Sequence, residues 1–271
     1  MTKKIYSQEE LLLYWEEYQN GLSLEKIANK YNLNRHTLSK RFKEANFSIR
    51  KNGRKYPLNE EYFQEINNSE KAYWLGFIAA DGAILSTGND PEPKVLSFNL
   101  NIRDAEHLEK FCKSIESEAK VIQKEGTGFG KHTSIAHLEI NSKQLVKDLQ
   151  KYGIHKRKSL ILKPPSLKEE FIIDWIRGYL DGDGSISILS NGTFSLSFVG
   201  TKEVLDFIAK TLTPEKDKKL YQPTLNKNNY ELSYGGTIQV VKLLHLIYDN
   251  SNIFLDRKYS KALEIYSRFE K

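Results

Sequence analysis

Apolar residues along the chain follow two spacings, and one order of those spacings occurs twice. From Glu70 to Asp81, Ala72, Tyr73, Trp74, Leu75, Phe77, Ile78, Ala79 and Ala80 make a segment apolar nearly all round. That pattern predicts a buried helix. AILS and the alternating VLSFNLNI (95–102) predict two strands. A helix DAEHLEKFCKSI begins at Asp104, strands follow near 120–124 and 133–140, and the helix SKQLVKDLQKYG closes at Gly153. After KPPS (163–166) the order returns: helix FIIDWIRGYLD, strands SISILS and FSLSFVG, helix KEVLDFIAKTL, strands near 219–224 and 229–234, helix TIQVVKLLHLIY. Each half reads α-β-β-α-β-β-α. A period of about 100 residues is longer than that of solenoid arrays, so this is a duplication. Two copies predict an α+β domain with pseudo-twofold symmetry, its alternating strands offering one polar face.

The N-terminal segment has a different pattern. Leu11, Leu12, Trp15 and Tyr18 share one face of a helix over 8–20 that stops at Gly21. Ser23 can cap a second helix, SLEKIANKY, with Lys26 where a full capping box has Glu or Gln. Ile27, Ala28 and Tyr31 form its inner face. After the turn NLN a third helix, RHTLSKRFKEANF, points Leu38 and Phe42 inward and Arg35, His36, Ser39, Lys40 and Lys43 outward. Helix, tight turn and basic helix make a helix-turn-helix pattern, with Ala28 allowing close approach and Leu33 plugging the turn. It is similar to the helix-turn-helix units of recombinases and homeodomain-like regulators, although basic three-helix bundles also serve as protein-binding modules. The next segment, SIRKNGRKYPLN (48–59), has no apolar period and contains Gly53 and Pro57. It reads as a basic linker, either a plain tether or an arm whose Arg50, Lys51, Arg54 and Lys55 reach DNA phosphates or a minor groove. The expected divisions are 1–47, a helix-turn-helix domain; 48–68, the linker; 69–165 and 166–271, the two repeats.

Charge sharpens this picture. The net charge is +6, and residues 1–58 alone carry 12 Lys and Arg against 6 Glu. Such a basic segment points to a polyanion, of which nucleic acid is the commonest. The single cysteine, Cys112, excludes an internal disulfide and a cysteine zinc site. With no signal-peptide core at MTKKIYSQEE and no membrane-length apolar run, the expected location is cytoplasmic, in a bacterial, phage or archaeal setting, with an organellar one left open.

The first helix of each repeat carries a related motif: WLGFIAADG (74–82) and IRGYLDGDG (176–184). Each has Gly at its third position and ends in Asp-Gly, and Asp81 and Asp183 lie 102 residues apart. An Arg-Lys pair follows each at matching distance, Lys158 lying 77 residues after Asp81 and Lys258 lying 75 after Asp183. With these paired motifs and the matching elements behind them, residues 69–271 resemble a LAGLIDADG homing endonuclease of the single-chain, two-motif type. The N-terminal helix-turn-helix is an addition to that fold.

The resemblance implies a mechanism. Gly76 and Gly178 let the two motif helices pack with backbones nearly touching. Ala80 and Gly182 keep the contact thin, so Asp81 and Asp183 meet at the helix ends. Two carboxylates there repel each other, and a cation between them relieves this. Mg²⁺ suits few carboxylates plus water and phosphate oxygens, with Mn²⁺ able to substitute and the backbone carbonyls of Ala80 and Gly182 as further ligands. Metal-assisted phosphodiester hydrolysis follows. The two motifs differ at the sixth position, Ala79 against Asp181, which leaves the metal position intact and can make the halves unequal. Lys158 and Lys258 match the basic residues that the family places near its metals, with Lys156 an alternative in the first half. The other reading has them contacting phosphate or solvent. Asp104 and Lys202 are weaker candidates for contact with the catalytic water.

DNA reading is expected from the sheets, through Ser97, Asn99, Asn101 and Arg103 in the first half and Ser185, Ser187, Ser195 and Ser197 in the second. The tips Lys124–His132 and Gln222–Tyr230 would extend the footprint. GTGFGKH (126–132) lacks the glycine and the following helix of a phosphate loop, and DGDGSIS lacks the glycine and glutamate of a calcium loop. The six histidines show no zinc spacing. The expected activity is a monomeric, Mg²⁺-dependent double-strand DNA endonuclease with a long, nearly asymmetric target, cutting across the minor groove to leave short 3′ overhangs. The chain begins with Met and ends RFEK without His-Asn, which favours a free-standing or intron-encoded enzyme over an intein. A DNA-binding regulator without cleavage and an RNA-splicing maturase, the one reading with RNA as partner, are the alternatives.

Overall fold

The structure is a computed structural model. It describes residues 7–20, 22–47, 49, 56–86, 92–128, 131–213, 221–226 and 229–270. The chain divides into two compact units, Met1–Arg54 and Lys55–Lys271.

In the first unit, α1 (Gln8–Gln19) starts at a complete capping box: the Ser7 hydroxyl accepts from the Glu10 amide, and the Glu10 carboxylate accepts from the Ser7 amide. Ser23 caps α2 (Leu24–Lys30) through the Lys26 amide, and Asn34 caps α3 (Arg35–Glu44) through His36 and Thr37. The α2–α3 turn passes through Asn32 at φ 50°, a left-handed conformation that asparagine tolerates. Tyr14, Tyr18, Ile27, Leu38 and Phe42 close the core, with Leu33 packed against it. Trp15 lies edge-on to Phe42 and stacks on Phe47. Arg35, His36, Lys40 and Lys43 are exposed on α3, while Ser39 is half-buried. Lys40 and Arg41 both pair with Glu44, and at this exposure such pairs add little stability.

In the second unit, the first repeat runs α4 (Ser69–Asp81), β1 (Ala83–Ser86), β2 (Pro93–Asn101), α5 (Ala105–Ser114), β3 (Ile122–Gly128), β4 (Lys131–Asn141) and α6 (Lys143–Lys151). The second runs α7 (Ile172–Asp183), β5 (Gly184–Ile188), β6 (Phe194–Gly200), α8 (Lys202–Leu212), β7 (Thr224–Asn226), β8 (Asn229–Gly235) and α9 (Thr237–Tyr248). The expected α+β duplication is present. Each repeat has a four-stranded antiparallel sheet, in the orders β1-β2-β4-β3 and β5-β6-β8-β7. Gly128 pairs with Lys131, so β3 and β4 stand where a phosphate loop would need a helix.

Two features were not expected. A further helix, α10 (Asp256–Phe269), follows the second repeat and carries Lys258 in its first turn. The expected linker 48–68 is corrected at its far end: Tyr62, Phe63 and Ile66 are buried in the main core. Full burial of such side chains is worth about 2–3 kcal/mol each, so the packed unit begins before Ser69. Arg50, Lys51, Arg54 and Lys55 lie outside the described residues. Among the described residues no helix is long and apolar enough to cross a membrane.

Candidate active site

Helices α4 and α7 pack along their glycines. A Cβ at Gly76 would lie 2.0 Å from the Trp175 carbonyl oxygen, and one at Gly178 would lie 1.9 Å from that of Tyr73. Backbone thus touches backbone in both directions across the pseudo-twofold. Nearer the helix ends, a Cβ at Gly182 would lie 2.3 Å from the Ala80 Cβ and 3.4 Å from Asp81 Oδ2. The seam therefore brings the Asp81 carboxyl against the residue that precedes Asp183.

The charge of Asp183 adds to the cost of ionising Asp81. Burial, then the charge of Asp183, lifts Asp81 to about 6, against the pull of Lys258, Lys158 and Arg257. The Asp183 side chain reaches solvent, yet burial of its carboxyl also raises its pKa, opposed by Lys158 and Lys258. This donor set fits a hard divalent cation, which relieves carboxylate repulsion and needs few protein ligands. No group of three or more His, Cys, Asp or Glu residues suited to a metal occurs among the described residues, so a cation here would rely on this pair, water and phosphate.

Lys158 and Lys258 are both buried beside the pair. Lys158 Nζ donates to the Ala80 carbonyl at 2.8 Å. Lys258 Nζ donates to the carbonyls of Leu180 at 2.6 Å, Gly184 at 2.6 Å and Gly182 at 3.2 Å. Burial pushes the Lys258 ammonium down to about 8 and lowers Lys158 as well. The Ala80 and Gly182 carbonyls, expected as metal ligands, here accept from the two lysines. Lys156 is exposed and reaches Ser86 at 3.5 Å, so Lys158 is the first-repeat lysine that geometry brings to the carboxylates.

Asp104 and Lys202 stand differently from expectation. Asp104 is buried and takes Arg257 Nε on both carboxylate oxygens at 3.0 Å, joining the repeats. Lys202 is exposed and paired with Asp206 at 2.6 Å, turned to a surface ion pair instead of the carboxylates. A cavity of about 190 Å³ lies by Lys158, with Ala80, Tyr179, Asp183, Thr201 and Asn229 in its wall.

Of the strand residues, Ser185 faces Ser197 and Ser187 faces Ser195 across β5 and β6, forming a hydroxyl patch on one sheet face. Ser233 extends it opposite Ser197. In the first sheet Asn99 is exposed, and its Oδ1 meets His137 Nδ1 at 2.8 Å. His137 Nε2 lies 3.3 Å from Glu139. His137 and Glu139 escaped the sequence reading, although both alternate with buried Ala136, Leu138 and Ile140 on β4. Ser97 is a correction: it is buried between Ala83 and Glu139, because a short side chain on a central strand is overtopped by its neighbours. Arg103 is another. β2 ends at Asn101, whose side chain accepts from the Arg103 amide and starts a 3-10 turn, so Arg103 lies off the strand.

Sequence reasoning also missed a buried network at the second motif. Asp181 accepts from Tyr248 Oη at 2.6 Å, Tyr73 Oη at 2.8 Å and the Leu255 amide at 2.7 Å. His107 Nε2 lies 2.9 Å from Tyr73 Oη. Tyr73 gives its one hydroxyl proton to Asp181, so His107 Nε2–H is the donor to Tyr73. Four residues before Asp181, Arg177 donates to the carbonyls of Ile253 and Ile247 and pairs with Asp174.

Residues 15–50 match the family of the helix-turn-helix, Psq domain. Comparison with curated proteins finds no match. Among solved structures, the LAGLIDADG homing endonuclease I-GzeII in complex with its DNA target is 11% identical at a TM-score of 0.50, over 76% of this chain and 90% of that one. The LAGLIDADG meganuclease I-AabMI bound to uncleaved DNA is 15% identical at 0.49, over 75% and 91%. Full-length WhiA from Thermatoga maritima is 16% identical at 0.45, over 77% of this chain and 64% of that one. The duplicated region therefore has the fold of the LAGLIDADG homing endonucleases, preceded by a segment similar to the Psq helix-turn-helix.

Proposed function

We propose that the protein is a site-specific double-strand DNA endonuclease with one catalytic centre per strand. What supports this reading is the seam of α4 and α7, where the Asp81 carboxyl lies against the residue before Asp183 and two buried lysines donate to carbonyls near the helix ends. Asp81 and Asp183 would hold Mg²⁺ or Mn²⁺. A cation there supplies charge neutralisation at phosphate and a more acidic water.

The chain's own residues do the rest. In the reaction a water oxygen bonds to phosphorus, one P–O bond breaks, and a proton reaches the leaving oxygen. Lys158 and Lys258 place positive charge where the phosphorane's negative charge builds, and their burial strengthens that effect. Both carboxylates come from one chain, so a monomer suffices. The pseudo-twofold would present one lysine to each strand, and the unlike residues of the two sheets would suit a long, nearly asymmetric duplex. Ser185, Ser187, Ser195 and Ser197, with Asn99 and Asn101, would read base edges. Arg35, His36, Lys40 and Lys43 on α3 would add a second contact to the DNA. An intron or other mobile element is the setting in which such an enzyme acts.

The test is incubation with a randomised duplex library and Mg²⁺, followed by sequencing of cut ends. Paired cuts at a fixed offset within one consensus are expected. Sequence-selective retention without cuts, in Mg²⁺ and in Mn²⁺, would instead make the protein a DNA-binding regulator.

A further inference from the structure

The two motif helices differ in charge at two places, and both differences act on the chain leading to one lysine. At the second and sixth motif positions the first helix has Leu75 and Ala79, while the second has Arg177 and Asp181. Spaced four apart, Arg177 and Asp181 lie on one side of α7. Both reach the end of α9 and the segment that joins it to α10. Arg177 takes the carbonyls of Ile247 and Ile253, at 3.1 and 3.0 Å. Asp181 takes the Tyr248 hydroxyl and the Leu255 amide. Leu255 is the residue before α10, and its carbonyl accepts from the Lys258 amide at 2.9 Å. A chain of short bonds therefore runs from Asp181 through Leu255 to the first turn of α10, where Lys258 meets three carbonyl oxygens. Arg257 is fixed as well, by Asp104 of the other repeat.

Lys158 is held by other means. It opens the 3-10 turn Lys158–Leu160, directly after Arg157 at φ 59°. That turn is tied downstream, Leu162 and Ile161 amides returning to the Lys158 carbonyl and Thr201 Oγ1 donating to Leu162. Thr201 caps α8 as Asp104 precedes α5, so the place of the Asp104–Arg257 ion pair is taken on this side by a hydroxyl and the 190 Å³ cavity.

Resting on the nuclease reading above, we infer that Asp181 is a positioning residue for Lys258, and that the strand served by Lys258 is cut first. The Lys258 centre is built before DNA arrives. The Lys158 centre completes its packing on DNA, which fills the cavity.

The experiment follows each strand of a selected duplex with its own 5′ label in Mg²⁺. Lys258→Met and Lys158→Met identify the strand that each lysine serves. Wild type is expected to nick the Lys258 strand before the other. Asp181→Asn is expected to slow that strand by about tenfold or more while leaving the other near the wild-type rate, since a small misplacement at a reacting centre has that scale of cost. Hydrogen exchange on the intact protein is the second readout: Asp181→Asn should speed the amides of Leu255 and residues 257–259 and leave those of α5 unchanged. Tyr248→Phe, a milder change, should move both readouts the same way. Equal slowing of both strands, or unchanged exchange at Leu255, would overturn the inference. Wild-type protein that cuts neither strand would sink the nuclease reading and the strand order with it, while exchange at Leu255 would still decide whether Asp181 anchors α10.

Discussion

Gly178 lies against the main-chain carbonyl of Tyr73, so close that a methyl group in its place would sit 1.9 Å from that oxygen. Gly76 meets Trp175 in the same way. A backbone carbonyl cannot swing aside as a side-chain tip can. Gly178→Ala should therefore lose about 3 kcal/mol or more of stability, or fail to fold. Urea unfolding of wild type and variant checks this. A loss under about 0.5 kcal/mol, the scale of an ordinary surface change, would mean that α4 and α7 part easily.

The same glycines were legible in the sequence. The two motifs, the element order and the pairing of Asp81 with Asp183 all follow from local patterns repeated once. What escaped were bonds between positions that no pattern relates. Tyr73 reaches Asp181 across 108 residues, and Leu255 reaches it across 74. Arg177 drew no reading, since nothing local shows which carbonyls it would meet. Tyr62, Phe63 and Ile66 fall within the expected linker because a few apolar residues beside a basic stretch have no period to betray a core. The polar face of β6 came out of its alternation correctly, whereas Ser97 did not, because alternation gives a side and says nothing of what overhangs it.

His107 makes stability depend on pH. Burial, chiefly, lowers its pKa from 6.5 to about 3. Between those values the unfolded chain binds a proton that the folded chain refuses. The stability contributed by neutral His107 is fully present above 6.5 and is lost as pH falls toward 3, on the order of a few kcal/mol in all. Chemical denaturation at a series of pH values should show a shallower decline below pH 6.5 for His107→Gln than for wild type. Parallel curves would contradict it.

The Asp104–Arg257 pair couples the repeats. Asp104 is 7% exposed and Arg257 is 40% exposed, so solvent screens one partner. Removing the arginine leaves the carboxylate buried. Arg257→Met should cost on the order of 1–2 kcal/mol, less than for a fully buried pair. Adding Asp104→Asn should recover part of that loss. A double-mutant cycle by urea unfolding measures the coupling, and additive losses would show that the pair contributes nothing.

Helix α3 predicts a salt effect. If its basic face contacts phosphates, replacing Lys40 and Lys43 with Gln weakens duplex binding and flattens the dependence of log K on log salt by nearly 2, about 0.9 per contact. Fluorescence anisotropy over a salt series reads this directly. An unchanged slope would take α3 out of the interface.

The proposed activity rests on the paired carboxylates. Asp81→Asn and Asp183→Asn keep the size of each side chain and remove its charge. The most direct measurement is cleavage and binding by both variants on one selected duplex, with Mg²⁺ for cutting and without it for binding. If the pair carries catalysis, each variant loses double-strand cleavage while binding stays near the wild-type level. Double-strand breaks at the wild-type rate from either variant would contradict it.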